Sequence, residues 1–457
     1  MSQPNIILVM TDQQRWDTLG SVGADWAKTP NLDALAARGT PVRKAFVQST
    51  VSGPSRASIV SAQYVHHHGA ADNGQWLRPE APNWIEQLRD AGYHTANVGK
   101  MHTVPTRLQC GFDHRWIVEN KNHPPHPYGS DMADHYHDWL ADQGLRRPAL
   151  DYHRTVADWA GTLNATVWPL DDDLFPDNVV GRRSVDYIAH HDFDKPLFLW
   201  SGFAGPHDPF DVPRSALDEY GNPRIPPPVA APGELDTKPP SQRAYMEWMT
   251  TFDHPAAIDW NRATPGAIAR VRRHYHANVM LIDQWVGRIV DALTKRGQLE
   301  NTIIVFTSDH GEALWDHSMV YKFASHYEPV VGVPLLAAGP GVDDQPIRDA
   351  IVEMIDLGPT LLDYAGVDAD PRMDGRSIRP MLQGHPASPR DAAFSSYGNR
   401  RMVRTPRWKL IRYTGEPLGE LYDLAADPDE LINRWDDPTA RATRAALEQR
   451  LDVWLAN

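Results

Sequence analysis

At 457 residues, with 41% hydrophobic and 23% charged residues, the chain has the composition of a soluble globular protein large enough for two or three units. A net charge of -14 excludes a broadly basic nucleic-acid or anionic-membrane surface, so any anionic substrate must meet a local island of positive charge. The single cysteine, Cys110, excludes an internal disulfide framework and fits a reducing compartment.

The opening stretch "MSQPNIILVMTDQQ" has a short apolar run with neither a basic n-region nor a small-residue cleavage site, and reads as a first strand. No apolar run is long enough for a bilayer span, and the expected location is cytoplasmic. Four short runs are expected to be strands buried on both faces of a mostly parallel sheet. Asn5 to Met10 leads into Asp12 and Gln13, and "YHTANVG" leads into Lys100 and His102. Pro196 to Trp200 leads to His207 and Asp208, and Thr302 to Thr307 leads into Asp309, His310 and Glu312. Ligands of such sheets bind outside the carboxyl ends of the strands, where these polar residues fall.

In "TVSGPSRASI", Ser52 and Gly53 read as an extended approach and Pro54 as a first helical position. Ser52 then stands near exposed N–H groups and the positive end of a helix dipole, either as an anion-site residue or as a capping serine. "RHYHANVMLIDQWVGRIVDALTKRGQ" is a helix whose stripe is Tyr275, Val279, Ile282, Val286, Ile289 and Leu293, stopped by Gly297. Asp356 to Tyr364 is a shorter one, ended by Gly366, and the proline-rich 225–240 reads as a surface excursion. Beyond about Asp374 the short segments "RMVRTP", "WKLIRY" and "GELYDL" predict a small antiparallel sheet, followed by a helix from about Pro438. The expected division is a catalytic α/β unit over 1–378 and a subdomain over 379–457.

Asp12, Gln13, Asp309 and His310 offer carboxylate, amide and imidazole donors from two strand ends. That set suits one hard divalent cation, Ca²⁺ first and Mn²⁺ as the alternative, better than zinc. Lys100, His102, His207 and Lys322 are the cationic or proton-carrying candidates at the same end. The histidines His123, His126, His135 and His137 lack tight ligand spacing and are expected to line substrate or serve structure, "HPPHPYG" reads as a loop beside the cleft, and His66 to His68 follow the Ser52 helix.

"TDQQRWDTLG", "TPNLDALAARG", "SGPSRASIVSAQ", "GYHTANVGKMH", "SDHGEALWDHSMVYK" and "IDLGPTLLDYAG" together resemble the sulfatase family of the alkaline-phosphatase superfamily. "WKLIRY" and "GELYDLAADPDELIN" are similar to that family's C-terminal sheet. The resemblance implies a large mixed, mostly parallel sheet sandwiched by helices, with a small C-terminal antiparallel sheet. It implies that Ser52, as the C/S position of C/S-x-P-x-R, is oxidised to formylglycine and joins Asp12, Gln13, Asp309 and His310 at the metal. One hydroxyl of the hydrated aldehyde then attacks the sulfur of a sulfate ester.

On the same resemblance Arg56 holds the formylglycine, Lys100 and Lys322 stabilise the transferring group, and Asn73 contacts substrate. His207 protonates the leaving group, and His102 takes the proton that lets sulfate leave. The implied partners are a small-molecule sulfate ester and a formylglycine-generating maturation enzyme, with no nucleic acid and no membrane; a homo-oligomer is left open. The leaving group is left open among aryl, alkyl and sugar. Two alternatives stand beside this reading: a phosphonate monoester or phosphodiester hydrolase of the same superfamily, and an inactive metal- and anion-binding relative if Ser52 stays unoxidised.

Overall fold

The computed structural model describes residues 3–121, 134–148, 155–251, 257–323, 325–385 and 390–457. Its main sheet contains β1 (Asn5–Asp12), β2 (Gly39–Phe46), β3 (His94–Gly99), β4 (His114–Trp116), β5 (Leu197–Pro206), β6 (Thr302–Ser308) and β7 (Gly332–Ala338). The spatial order is β2-β7-β6-β1-β5-β3-β4, and every pairing is parallel except those made by β7. The carboxyl ends of β6, β1, β5 and β3 therefore share one edge. Because β2 is antiparallel to β7, it also runs toward that edge and delivers the chain to Ser52.

Alternation along β1 explains its unbroken apolar run. Ile6, Leu8 and Met10 face a core shared with Ile59, Trp84 and Leu361, while Ile7 and Val9 face Leu32, Val179 and Ile282. Each side is roofed by helices, so both sets are removed from water. The expected stripe of the long helix is buried throughout, but that helix starts earlier, at Pro265, and runs to Lys295. Thr264 caps it by accepting from the Ala267 N–H at 3.2 Å, with Pro265 in its first position.

The second sheet, β8 (Ala393–Tyr397), β9 (Arg400–Arg404), β10 (Trp408–Tyr413) and β11 (Glu420–Asp423), is antiparallel throughout and is followed by the helix Arg441–Ala456. Its Ala393, Met402, Ile411 and Tyr422 belong to the same hydrophobic core as Ile6 and Trp84, so the two sheets share one interior. The proline-rich excursion differs from expectation at its end, because Lys238 is buried rather than solvated. Its ammonium donates to Tyr422 Oη at 2.5 Å and to the Glu430 carbonyl at 3.1 Å, which pins the excursion to the second sheet. No helix among the described residues is long and apolar enough to cross a membrane.

Candidate active site

The helix that follows β2 spans Ser52–Ser61, with Val51 as its extended N-cap. Ser52 is thus the first helical residue, which corrects both the capping alternative and the expected start at Pro54. The Ser55 N–H already reaches the Val51 carbonyl at 3.0 Å, so the helix begins two residues before the proline. The freed Ser52 hydroxyl turns to the strand ends. Its Oγ lies 2.9 Å from His310 Nε2 and 3.3 and 3.2 Å from the two Asp12 oxygens.

Asp12, Asp309 and His310 come together at the ends of β1 and β6, with one donor atom from each within 4.8 Å of the others. His310 Nδ1 faces the Gly311 carbonyl at 2.9 Å; a carbonyl only accepts, so the ring proton is on Nδ1 and the Nε2 lone pair points at Asp12 and Ser52. Two carboxylates and a correctly oriented imidazole, all fully buried, fit a hard divalent cation. Gln13 is beside them: its N–H donates to Asp309 Oδ1 at 3.1 Å, while its side-chain oxygen accepts from Lys322. Gln13 holds left-handed backbone (φ 68°), fixed from behind by Tyr275, whose hydroxyl donates to the Gln13 carbonyl at 2.7 Å.

Arg56 ties this set together. It is fully buried, donating Nε to Asp309 at 2.8 Å, Nη2 to Asp12 at 3.3 Å and Nη1 to the Lys100 carbonyl at 3.1 Å. Lys100 stands 2.8 Å from Asp12 Oδ2. Burial alone would raise the Asp12 carboxyl, but Lys100, His207, Arg56 and Lys322 around it hold it well below the usual range. Lys100 reaches that depth because β3 and β5 approach closely at Gly99 and Gly202: a Cβ on Gly99, whose φ is +102°, would strike the Gly202 carbonyl.

On the other side, Lys322 Nζ and His207 Nε2 are 2.6 Å apart. His207 is lowered to about 4, by burial first, against the raising effect of Asp208, whose carboxylate lies 3.3 Å from Nδ1. His102 is pushed well below its ordinary value by burial and then by Lys100, and its Nδ1 is buried without a partner. It too holds left-handed backbone (φ 58°), its N–H donating to Glu119 at 3.0 Å. Asn73 accepts from the Gly53 N–H at 2.9 Å, next to the Ser52 position.

Ser52, Arg56, Asn73, Lys100, His102, His207, Lys322, Asp12, Gln13, Asp309 and His310 are thus connected through this one site by direct contacts or shared neighbours. Other histidines go elsewhere. His68 Nε2 meets Ser58 Oγ at 2.8 Å and braces the Ser52 helix from behind, and His67 pairs with Asp374 at 2.7 Å. His135 Nδ1 accepts from the Ile117 N–H at 3.0 Å, while His123 and His126 lie outside the described residues.

Glu119 and Asn120 escaped sequence reasoning, and Asp208 and Glu312, seen at the strand ends, were given no role there. Asn120 accepts from Lys100 Nζ at 2.9 Å, and Gln13 Nε2 donates to Asp208 at 3.3 Å and to Glu312. Glu312 and Asp208 adjoin motif residues, and a count of acceptors needed by the buried cations is the signal that leads to them.

Comparison with known proteins agrees with this geometry. A family model described as Sulfatase matches residues 4–367, and one described as N-sulphoglucosamine sulphohydrolase, C-terminal, matches 315–456. An arylsulfatase of Clostridium perfringens is 28% identical, covering 94% of this chain and 90% of its own length. A choline-sulfatase of Rhizobium meliloti is 29% identical across 100% of this chain and 87% of its own. The solved phosphonate monoester hydrolase of Agrobacterium radiobacter superposes with a TM-score of 0.83 at 25% identity, covering 99% of this chain and 95% of that one. The chain belongs to the sulfatase family.

Proposed function

We propose that this protein hydrolyses sulfate monoesters, using Ser52 after its oxidation to formylglycine and one divalent cation, Ca²⁺ first and Mn²⁺ second. The carrying observation is the pair at the end of β3, with Lys100 2.8 Å from Asp12 and His102, half-buried with its Nδ1 shielded from water, two residues on. The phosphonate branch of the superfamily tends to have tyrosine and threonine at these positions, and this chain has instead a cation and a base. Family membership and the arylsulfatase and choline-sulfatase relatives support the same reading.

The cation, held by Asp12, Gln13, Asp309, His310 and residue 52, would supply Lewis-acid charge to a sulfate oxygen. Formylglycine would supply a hydrated aldehyde, one oxygen for attack on sulfur and a second hydroxyl to expel sulfate. Unmodified serine lacks that second hydroxyl and cannot turn over in this way. Arg56 fixes residue 52's neighbours in place, and its three hydrogen bonds leave it no freedom to follow substrate. Lys100 and Lys322 flank the transferring group with preorganised charge in a site that excludes bulk water.

His102 is neutral over the physiological range, and its unpartnered Nδ1 can accept the proton released when sulfate departs. His207 faces Lys322 and is the group placed to carry a proton to the leaving oxygen, since a bound sulfate anion favours the imidazolium. A maturation enzyme acting on Ser52 is a required partner in this scheme. The buried, unpaired Cys110 supports a reducing, cytoplasmic setting.

The test uses protein whose Ser52 conversion has been verified by peptide mass. Its kcat/KM should be higher for para-nitrophenyl sulfate than for the para-nitrophenyl monoester of phenylphosphonate. The opposite order would assign the chain to the phosphonate branch, which the fold likeness to the Agrobacterium radiobacter enzyme makes the second reading.

A further inference from the structure

Arg400 opens β9, directly after the hairpin turn from β8. Its guanidinium donates to the carbonyl of Phe323, the residue after Lys322, and lies 5.5 Å from the ring centre of Tyr397. Arg400 is only 8% exposed, yet no carboxylate among the described residues pairs with it, and its Nε is buried without an acceptor. A buried guanidinium without a counter-charge is costly, and such groups are normally paired.

The surroundings deepen the imbalance. His326, fully buried, has both ring nitrogens unpartnered, and Ser395, two residues before Tyr397 on the same strand face, has a buried hydroxyl without a partner. The aromatic rings are next to Lys322: Phe323 lies 6.5 Å from Tyr397 and 6.5 Å from Tyr245. Lys322 in turn faces His207, the group placed at the leaving oxygen. The side toward which the leaving group departs is therefore aromatic-walled, donor-rich and positive.

We propose that Arg400 determines leaving-group specificity, and that the substrate is a sulfate ester whose ring-shaped leaving group carries an anion of its own, a carboxylate or a second sulfate. This rests on the sulfatase reading above. Such an anion would give Arg400 its missing partner and place the ring against Phe323 and Tyr397. A cationic leaving group such as choline would be repelled.

Converted enzyme would be assayed with phenyl sulfate, para-carboxyphenyl sulfate, para-phenylene disulfate and choline sulfate. Either anion-bearing ester should exceed phenyl sulfate in kcat/KM by about tenfold or more, the value of one charge-assisted hydrogen bond, and choline sulfate should be poorest. The two anionic esters separate carboxylate from sulfate as the preferred partner. Arg400→Met should erase the preference while leaving phenyl sulfate within about threefold, and Arg400→Lys should restore part of it.

Equal loss on every ester would mean that Arg400 only supports the Phe323 loop, and a wild type without preference for the anionic esters would overturn the proposal directly. Binding gives a readout that needs no turnover: para-hydroxybenzoate should raise the Tm of the wild type and not of Arg400→Met. If that shift appears while converted enzyme releases sulfate from none of the esters, the sulfatase reading fails and the anion site at Arg400 stands.

Discussion

Ser52 Oγ lies 2.9 Å from Nε2 of His310, so the residue that opens the helix is already seated among the metal-ligand candidates. The hydroxyl is not spent on capping, the common use of a serine one residue earlier, at the N-cap. Its orientation is imposed from the end of β6, because His310 presents the Nε2 lone pair while Nδ1 is held by the Gly311 carbonyl.

Conversion of residue 52 is the first consequence to test. Protein isolated from its own cell should give a peptide containing residue 52 that is lighter by two hydrogens and is trapped by an aldehyde reagent. Protein made without the maturation enzyme should keep plain serine and show almost no turnover. Ser52→Cys made alongside a cysteine-type maturation enzyme should regain sulfate release. If unconverted serine protein turned over at the same rate as the converted form, the aldehyde would have no role.

Metal removal is the second. Asp12 and Asp309 are fully buried and held ionised by Arg56 and Lys100, and a divalent cation would add to that compensation. A ligand present at about a hundred times its Kd stabilises a fold by about 2.7 kcal/mol. Chelation should therefore lower the Tm and abolish turnover, with recovery on adding Ca²⁺ or Mn²⁺ alone. Asp309→Asn should have a Tm that no longer responds to the chelator. A wild-type Tm indifferent to chelation would remove the metal from the scheme.

Much of this site was legible because parallel strands buried on both faces are written as unbroken apolar runs, and their polar ends then stand out. Asp12, Lys100, His207 and Asp309 were found that way, each directly after or at the end of its strand. β2 was not anticipated, because Pro41, Arg43 and Lys44 break its apolar pattern; it is an edge strand, where such residues are tolerated. The burial of Lys238 within the expected surface excursion was hidden for a different reason. A lysine among prolines looks solvated, and only the partners Tyr422 and Glu430, brought from nearly two hundred residues away, account for its burial. Tertiary pairing of that kind leaves no local mark.

The joint between the sheets makes the third prediction. Lys409, fully buried, stands 2.7 Å from Glu430 and 3.1 Å from Glu328. Glu328 retains Lys44 at 2.6 Å and Arg404 at 3.4 Å, whereas no other ion pair serves Glu430 among the described residues. Lys409→Met should therefore cost about 3–5 kcal/mol in denaturant unfolding, the usual result of stranding a buried charge. The double change with Glu430→Gln should recover a substantial part. A loss under about 1 kcal/mol would show that water reaches the joint and that the pair is not truly buried.

The last prediction concerns pH and a carboxylate far from the chemistry. Asp283 on the long helix accepts from the Leu32 N–H at 2.7 Å and from Asn31 Nδ2 at 2.7 Å, clamping the helix Pro30–Ala36 onto it. Burial, the largest effect, raises its carboxyl from 3.8 to about 6 against those hydrogen bonds. Since the folded value lies above the unfolded one, its contribution to stability is complete below pH 3.8 and is lost as pH rises through about 6. The full swing is about 3 kcal/mol at 1.36 kcal/mol per unit. Asp283→Asn cannot titrate, so its deficit against wild type should be larger at pH 5 than at pH 7, by about 1 kcal/mol. Thermal unfolding of both proteins at the two pH values reads this directly. A deficit that stayed constant, or grew toward pH 7, would mean that Asp283 is already ionised in the folded protein at pH 5 and that the clamp is carried by charge.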